Sequence, residues 1–517
     1  MGNQISALMS DSIVFSLFLR ISYLGLILSI IYVLAALTYN VYFHPLKNYP
    51  GPLSWAATRI PWCWYQYHGV NWRKILELHA RYGHVVRIGP NELSYTSSEA
   101  WRIIYGHRVI EMGKDPVFSL HTPTGVQNIL VADRPTHTRQ RRLLAHAFSE
   151  KALREQEEIL QSYTDQLIRG LEARRQDAVD IGAWFMFTTF DLIADLSFGD
   201  NVGCLEKGEY DPYVAATPAI SKELQYYQML KYWGIAWARK WFMPTSVAGA
   251  RMANMKRAMS TVNNRIEKNG SVDRKDFLHY ILAANDEKGM SRQEIDVNAF
   301  SISTAGSEST ATALSGAIFY LLQHPASYAS ATREVRSAFH APEEITMSEV
   351  KKLKYLKAVL QETLRLYPPV AVTLPRRVPV EEDGVFIAGH PVPAGTTVGV
   401  NYYAAFHSPY NFHLAEKFAP ERWLPEHSDH APYANDNRDV VQPFSYGPRN
   451  CLGKNLAWAE MQLILARVLW HYDITWPKDK LGRPEVDEGW QLNQKLYGFW
   501  VKPPLRVCLK PADGIRK

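Results

Sequence analysis

The sequence predicts a mainly α-helical protein with a small β region, preceded by one N-terminal transmembrane helix. Three observations support this fold class. Residues 21–43 are apolar and contain no charged side chain. The middle of the chain, and the segment after Cys451, repeat apolar residues at helical spacing. Short β-type runs are confined to residues 84–95, which suggest a hairpin, and to the C-terminal part, with predicted strands at 384–387 and 397–400.

The composition indicates a large folded body and argues against some classes of protein. The chain has 517 residues, 47% of them hydrophobic, with 15 Trp and 28 Tyr. This content suits a large core and a pocket for a flat cofactor. The formal charge of +6 is spread along the chain, so nucleic-acid binding is not expected. The four cysteines show no disulfide or zinc spacing, which favours a reducing compartment.

Residues 21–43 are long enough to cross a bilayer. A helix of this length measures about 35 Å, against about 30 Å for the hydrocarbon core. Arg20 marks the edge of the span, because a central arginine would cost about 2.5–3.5 kcal/mol. A cleaved signal peptide is the alternative, disfavoured by the long apolar run. The chain start also fits the myristoylation pattern at Gly2, a lipid that a spanning helix makes redundant.

The sequence divides the chain into three regions. Residues 1–44 are expected to form the membrane anchor. Residues 45–60 form a hinge, because its prolines fix φ and exclude a helix. Residues 61–517 are expected to form a single folded domain. Within that domain, residues 426–441 are polar and predict a long surface loop.

Cys451 carries the strongest chemical signal. It lies between Gly447 and Gly453, just before a predicted helix. A thiolate is stabilised at a helix N-terminus and makes an anionic axial ligand for haem iron, which favours O–O cleavage. The two glycines allow a tight turn and close approach to a flat macrocycle, and Arg449 can pair with a propionate. A buried structural cysteine is the alternative.

These residues resemble the haem-binding motif Phe-x-x-Gly-x-Arg-x-Cys-x-Gly of the cytochrome P450 superfamily. Its five specified positions are held by Phe444, Gly447, Arg449, Cys451 and Gly453. A chance match of five positions is expected about once in ten thousand chains of this length. The resemblance implies the cytochrome P450 fold and haem b, iron protoporphyrin IX, with Cys451 as the ligand of the iron.

A long helix is predicted over residues 291–324. Ser291 and Glu294 form a capping box at its start, and Pro325 ends it. A glycine inside a helix costs about 1 kcal/mol against alanine, so Gly306 indicates that another group approaches the backbone there. A contact between two helices is the alternative explanation.

Residues 305–310, Ala-Gly-Ser-Glu-Ser-Thr, resemble the family's oxygen-binding stretch. The resemblance implies that Glu308 and Ser309 pass protons to bound oxygen, as general acids do, and that Gly306 lies beside the cofactor. Ser309 replaces the family's threonine and loses the methyl group that stiffens χ1. Thr310 is expected to substitute for it if the helix rotates slightly.

Glu362 and Arg365 lie three residues apart on a predicted helix, where such a pair is common and weak. With Arg422 in a downstream Pro-Glu-Arg, they resemble the family's Glu-x-x-Arg element and its partner. The resemblance implies one buried ionic network of these three residues behind the haem, with a role in the scaffold.

Further basic positions resemble the family's haem-propionate partners. His137 and Arg141 occupy the place of a Trp-x-x-x-Arg element, with His137 in place of tryptophan, and Arg376 lies on a strand expected to border the haem. A solvated surface charge is the alternative at each position. The residues expected to face outward, toward an acidic reductase, are Arg139, Arg142 and Lys454.

The motifs together imply a haem-dependent monooxygenase of the microsomal, fungal type. It would insert one oxygen atom of O2 into a hydrophobic small molecule by hydroxylation, epoxidation or a related oxidation. The implied partners are NADPH-cytochrome P450 reductase, with cytochrome b5 as an optional donor, and the membrane. The likeness to fungal members, carried by His44-Pro45-Leu46 with Pro50-Gly51-Pro52 and by His137 with Arg142-Leu143-Leu144, implies secondary metabolism of a terpenoid, polyketide or alkaloid. The expected location is the endoplasmic reticulum membrane, single-pass, with the catalytic domain facing the cytosol.

Two alternatives stay open at this point. A reductase-independent haem-thiolate isomerase or dehydratase would share the cysteine motif, but such relatives often lose the helix alcohol that Ser309 and Thr310 retain. A non-catalytic haem-binding protein would need neither a proton relay nor an anchor. The substrate pocket is expected to draw on residues 118–120, Ala305, 370–374 and 496–499.

Overall fold

One long N-terminal helix precedes the body of the protein. In the computed structural model, helix α1 covers Gly2–Thr38 and continues as a π-helical turn over Tyr39–Phe43. Its apolar part, Phe15–Phe43, is long enough to cross a membrane and none of it is buried against the rest of the chain. The predicted N-terminal apolar helix is therefore present, with the length needed to span a membrane. The apolar stretch starts before residue 21, so Arg20 lies inside it and not at its edge.

The structure describes residues 2–118, 125–199, 202–242, 245–267, 275–284, 289–479, 482–483, 485 and 488–512. Their fold is mainly helical with small sheets, which confirms the predicted fold class. The helices before the central helix are α2 (Leu53–Ala57), α3 (Ile60–Tyr67), α4 (Asn71–Tyr82), α5 (Ser98–Tyr105), α6 (Arg134–Ala147), α7 (Glu150–Glu155), α8 (Glu157–Arg174), α9 (Ile181–Phe198), α10 (Cys204–Lys207), α11 (Pro212–Tyr232), α12 (Arg239–Phe242), α13 (Thr245–Glu267) and α14 (Phe277–Ala284). The central helix and its successors are α15 (Arg292–Gln323), α16 (Pro325–Ala338), α17 (Met347–Val350), α18 (Lys354–Leu366), α19 (Tyr402–Phe406) and α20 (Lys454–His471).

The strands form four small sheets in the described part of the chain. They are β1 (Val85–Gly89), β2 (Glu92–Tyr95), β3 (Val179–Asp180), β4 (Arg376–Arg377), β5 (Val385–Ile387), β6 (His390–Val392), β7 (Thr397–Val400), β8 (Tyr472–Thr475), β9 (Lys495–Leu496), β10 (Trp500–Val501) and β11 (Arg506–Pro511). The largest sheet has the order β1-β2-β7-β4, with β1 and β2 as the predicted hairpin. Its edge strand β4 is antiparallel to β7 and positions Arg376 opposite Val398.

The core surrounds α15. The side chains of Ala311, Leu314, Ala317, Ile318 and Leu321 are at most 1% exposed, and α9, α13, α18 and α20 pack around this helix. Residues 310–321 of α15 are buried on every side, which is typical of a helix at the centre of a large domain. The predicted start of α15 is confirmed, because Ser291 Oγ accepts from the Glu294 backbone and the Glu294 carboxylate accepts from the Ser291 backbone.

The polar segment 426–441 lies mostly at the surface, as predicted. Two short 3₁₀ helices, Ser428–Tyr433 and Arg438–Val440, form within it. His430, Tyr433 and Val440 are buried within it. Polar composition predicted exposure, but several of these side chains pack against, or hydrogen-bond to, the buried ionic network described below.

Candidate active site

The cysteine segment is held by hydrogen bonds on both sides of the thiol. The Cys451 backbone N–H donates to the Phe444 carbonyl at 2.8 Å, and Arg141 donates to the backbone and side-chain oxygens of Asn450 at 2.6 and 2.5 Å. Gly453 caps α20, so Cys451 lies three residues before the helix begins. Arg141 thus contacts the cysteine segment directly. The sequence had predicted only a contact between Arg141 and a propionate.

The two glycines near Cys451 differ in backbone conformation and in the space around them. Gly447 has φ of +73°, and a Cβ atom there would overlap the Tyr105 carbonyl oxygen, so no other residue fits. Gly453 has ordinary backbone geometry, and a Cβ atom would meet only Phe148 at 3.7 Å. The protein alone therefore requires glycine at 447 but not at 453, where close approach to a macrocycle remains the prediction.

The Cys451 thiol faces an internal space. Its side chain keeps accessible surface, yet enough protein surrounds it for desolvation to raise the pKa of the thiol. The Gly453 backbone N–H, Arg141 and Lys454 oppose that rise and favour the thiolate. A thiolate in such a place has the donor chemistry that haem iron accepts in proteins of this kind.

A cluster of cations lies near the cysteine segment. Arg376 is 5% exposed, and its Nη1 atom has no hydrogen-bond partner among the residues that the structure describes. Arg449 pairs with Glu111 and donates to the Ala132 carbonyl at 2.8 Å. Lys114 forms a β-bridge with Arg376. Buried guanidinium groups need anionic or carbonyl partners, and the free Nη1 of Arg376 is left to bind one.

The pKa values in this cluster show how concentrated its positive charge is. Desolvation, together with Arg449 and Arg376, lowers the pKa of Lys114 to about 7. The pKa of His137 is lowered to about 3, mostly by desolvation and then by the positive charges of Arg449, Lys114, Arg141 and Arg376. Glu111 supplies compensating negative charge. A ligand that carries two carboxylates would be stabilised here, so the residues fit the propionates of haem b.

Sequence reasoning missed Lys114 and Glu111. Both lie in the irregular segment between α5 and α6, and neither belongs to a motif. Only the pairing of this segment with β4 brings Lys114 to Arg376, and that pairing joins positions more than 250 residues apart.

The three predicted proton-delivery residues of α15 point in different directions. Glu308 is buried and forms an ion pair with Lys502, while Thr312 Oγ1 lies 3.3 Å from its carboxylate. Ser309 Oγ donates to the Ala305 carbonyl at 2.8 Å and is partly exposed. Ala305, one turn earlier, is exposed as well, which indicates that both face the same open space.

Thr310 contacts a different helix. Its hydroxyl hydrogen-bonds to Glu460 of α20, and burial raises the pKa of that carboxyl to about 8 against the effect of the hydrogen bond. Thr310 is 2% exposed. The structure therefore places Thr310 on the side of α15 that faces α20, away from the open space that Ser309 and Ala305 face. The expectation that Thr310 could replace Ser309 needs correction.

Gly306 was expected to lie beside the cofactor, but the neighbour that limits its size is a side chain of α9. A Cβ atom there would lie 2.8 Å from Ile193 Cγ1 of α9. Its small size therefore serves the close packing of α15 against α9. This is the helix contact that sequence reasoning had kept as the alternative.

Glu362, Arg365 and Arg422 form one buried network. Arg365 donates to both Glu362 oxygens at 2.9 and 2.7 Å, and Arg422 donates to Oε1 at 3.2 Å. All three are 0% exposed. Burial alone would raise the pKa of Glu362, but the two arginines outweigh it and lower that pKa. The structure adds Asp436, which pairs with Arg422 and comes from the segment expected to be a surface loop.

A small cleft of about 50 Å³ lies between α3, α4, α11 and the segment before β4. Among the expected pocket residues, Phe118, Ala371, Val372, Thr373 and Leu496 line it. Ala305 does not, and residues 119–120 lie outside the described residues. Sequence reasoning missed the contribution of α3 and α4, which supply Trp62, Gln66 and Asn71 among others.

The family model described as Cytochrome P450 matches residues 50–499. Cytochrome P450 monooxygenase aclL of Aspergillus oryzae is 42% identical over 491 residues, covering 93% of this chain and 96% of that protein. Versicolorin B desaturase stcL of Emericella nidulans is 39% identical over 505 residues, with coverage of 96% and 99%. Averantin hydroxylase of Dothistroma septosporum is 39% identical over 484 residues, with coverage of 93% and 90%.

Proposed function

This chain belongs to the cytochrome P450 family and is a haem-dependent monooxygenase; on that premise we propose that it oxidises a hydrophobic small molecule of fungal secondary metabolism at the endoplasmic reticulum membrane. Members of the family bind haem b through a cysteine thiolate. The observation that carries the proposal is the placement of the Cys451 thiol near a buried cation cluster that has a free guanidinium nitrogen on Arg376.

Cys451 is the proposed ligand of the haem iron. Arg376, Lys114 and His137 are proposed to hold the propionates, with Arg449 kept in place by Glu111. When bound, haem b supplies the oxygen-activating chemistry. The protein contributes the position of the thiolate, because the hydrogen bonds of Arg141 to Asn450 fix the segment that carries it.

Protons are proposed to reach the site along α15. Glu308 holds a proton-accepting carboxylate at a buried position, and Ser309 places a hydroxyl on the exposed face of the helix. The two act in sequence, with Glu308 recruiting the proton and Ser309 orienting its delivery. Thr310 is left out of this route because it contacts Glu460.

The proposed electron donor is NADPH-cytochrome P450 reductase. Arg142 and Lys454 are exposed beside the cysteine segment, where cations would attract an acidic partner. The N-terminal helix would anchor the protein with the catalytic domain in the cytosol. Such an arrangement holds enzyme and reductase on the same membrane face. The segment 45–60, expected to be a hinge without a helix, contains α2 and buries Leu46 and Trp55 against the body of the protein.

The experiment is a comparison of Cys451→Ala with Cys204→Ala in full-length protein. The parent and Cys204→Ala should show the red-shifted Soret band of a thiolate-ligated, carbon monoxide-bound ferrous haem, and Cys451→Ala should not. Addition of reductase and NADPH should then give oxygen-dependent product. A normal band without steady NADPH consumption on any substrate would favour an isomerase or dehydratase instead.

A further inference from the structure

The N-terminal helix ends in a turn that leaves one backbone carbonyl without a donor from its own helix. In the π-helical turn over Tyr39–Phe43, the His44 backbone N–H donates to the Tyr39 carbonyl at 2.9 Å, five residues back. That N–H is thereby taken from the Asn40 carbonyl, and the next residue, Pro45, has no N–H to give. A carbonyl at a helix end in this position needs a donor from elsewhere.

Arg87 of β1 supplies that donor. Its Nη2 atom donates to the Asn40 carbonyl at 2.9 Å, and its side chain also donates to the Pro90 carbonyl. Its backbone N–H donates to the Pro50 carbonyl at 2.7 Å. Arg87 is 1% exposed, and a guanidinium at the C-terminal end of a helix is also favoured by the helix dipole. One buried residue therefore binds the chain on both sides of the turn at residues 45–49.

Three further contacts tie the end of the anchor to the body. Asn40 Nδ2 donates to the Ala57 carbonyl at 2.9 Å, at the C-terminal end of α2. Leu46 is fully buried. The Tyr49 hydroxyl donates to the Pro391 carbonyl of β6 at 2.6 Å. Because α2, β1 and β6 all hold the same short segment, the anchor cannot swing relative to the body without breaking several of these contacts.

The chain that follows the turn lies directly against the backbone of β1. A Cβ atom at Gly51 would be 2.5 Å from the Arg87 carbonyl oxygen, which cannot move without disturbing the strand. Glycine is therefore required for this close approach. The segment is packed against the body and does not behave as a loose linker.

The surface beside this joint exposes large apolar side chains. Phe43 at the end of the anchor, Leu53 on α2 and Ile60 on α3 are 67%, 68% and 61% exposed. Helix α2 packs against both the last turn of the anchor and α3, so these side chains lie on the side of the body from which the anchor leaves. Exposed apolar groups next to a membrane span favour the phospholipid interface.

We infer that the anchor and the catalytic body form one rigid unit joined through Arg87 and Asn40, and that this joint holds the body on the bilayer in a single orientation, with α2 and α3 toward the phospholipid. The inference rests on the proposed membrane anchor and adds to it a fixed angle between the anchor and the body. Pro45 is part of the joint, because its missing N–H leaves the Asn40 carbonyl to Arg87.

The test measures the orientation of the body directly. Full-length, haem-loaded protein is reconstituted in phosphatidylcholine bilayers, which are stacked on a flat support. The electron paramagnetic resonance of the low-spin ferric haem is then recorded while the support is turned in the magnetic field. Because the haem is held inside the body, the signal gives the tilt of the body to the membrane and the spread of tilts. The parent should show one tilt with a narrow spread.

Two changes loosen the joint. Arg87→Leu removes the donor to the Asn40 carbonyl, and insertion of Gly-Ser-Gly-Ser between His44 and Pro45 separates the anchor from the body without replacing any residue. Each should broaden the spread of tilts by at least about twofold, because the anchor then no longer fixes the body and a Gly-Ser chain is flexible. The insertion keeps the test decisive if Arg87→Leu lowers the haem content.

Arg102→Leu is the matched control. It removes an exposed arginine of α5 whose ion-pair partner, Asp439, is also exposed, and should leave the tilt and its spread as in the parent. A spread as narrow as that of the parent in both loosened proteins would overturn the inference, because the surface of the body would then set the orientation. So would a broad spread in the parent.

Neutron reflectometry of the same proteins gives the height of the protein layer above a single bilayer and does not depend on haem. This height should increase with the insertion and stay unchanged with Arg102→Leu. An unchanged height after the insertion would contradict the rigid joint. A parent without the low-spin, thiolate-type signal would mark a failure of the proposed function, while the reflectivity still tests the joint. A parent that stays out of the bilayers would overturn the inference together with the proposed anchor.

Discussion

The ammonium group of Lys502 contacts the carboxylate of Glu308, although the two residues lie 194 positions apart in the sequence. Lys502 also donates to Thr312 Oγ1 at 2.6 Å, so one cation joins two side chains of α15. Lys502 follows β10 in the C-terminal segment. The carboxylate proposed to recruit protons is therefore held from outside its own helix.

Lys502→Met should lower the product formed per NADPH and raise peroxide release, because Glu308 loses the partner that fixes its position. Removing one member of a buried pair also costs about 3–5 kcal/mol of stability, so Soret absorbance and coupling are measured on the same preparation. Lys502→Arg is the control and should keep most of the coupling. If Lys502→Met couples as well as the parent while its haem content is normal, the pair has no part in proton delivery.

Ser309→Ala should lower coupling while haem and substrate binding stay nearly unchanged. The hydroxyl lies on the exposed face of α15, where it would orient a proton on its way to the reaction site. Thr310→Val removes the neighbouring hydroxyl from the contact with Glu460 and should leave coupling unaffected. The ratio of product to NADPH distinguishes the two. If both variants lost the same fraction of coupling, the loss would come from altered helix packing and not from the missing Ser309 hydroxyl.

Arg422→Ala should give little haem-loaded protein. It would leave Glu362 and Asp436 with fewer partners in a fully buried network, at a cost of about 3–5 kcal/mol. Arg483→Ala, which removes an exposed ion pair with Asp479, is the control and should cost less than about 1 kcal/mol. Haem content per protein and the urea midpoint are measured. Normal haem content with reduced turnover would instead place Arg422 in the chemistry.

Glu460→Gln should make the stability less dependent on pH. Burial raises the pKa of Glu460 to about 8 in the folded protein, above the ordinary value of 4.5. An acid with a raised folded pKa contributes its full stability below about pH 4.5, and that stability is lost as pH rises to about 8. Urea unfolding followed by the Soret band at several pH values checks this. A parent whose stability does not fall over this range more steeply than that of the variant would contradict the shift.

Local signals in the sequence predicted local structure well. The capping box of Ser291 and the stop at Pro325 fixed the limits of α15 because each involves residues within one turn. The partners of Gly306 and Thr310 were not predictable in this way, since they depend on how α9 and α20 pack against α15. Motifs also cannot indicate Lys502 or Lys114. Each is an isolated cation whose partner, Glu308 for Lys502 and Arg376 for Lys114, lies far away in the sequence.

Exposed tryptophans on the body of the protein predict that it binds membranes even without the N-terminal helix. Trp64 on α3 is 64% exposed, and Trp237 and Trp241, which follow α11, are each 67% exposed. The rings of Trp237 and Trp241 are 5.3 Å apart, and α3 contacts α11, the helix that precedes them. Exposed tryptophans close together are typical of surfaces that meet the membrane interface.

Removal of residues 1–44 should therefore release only part of the protein from membranes. The truncated protein should keep its Soret band and still float with lipid vesicles in high-salt buffer, since the remaining attachment is apolar and not electrostatic. Trp237→Ser combined with Trp241→Ser should abolish flotation of the truncated protein. Trp458→Phe, a change at a partly buried residue that packs against Phe444, is the control and should not affect flotation. Complete release of the truncated protein before any tryptophan is changed would show that α1 is the sole anchor.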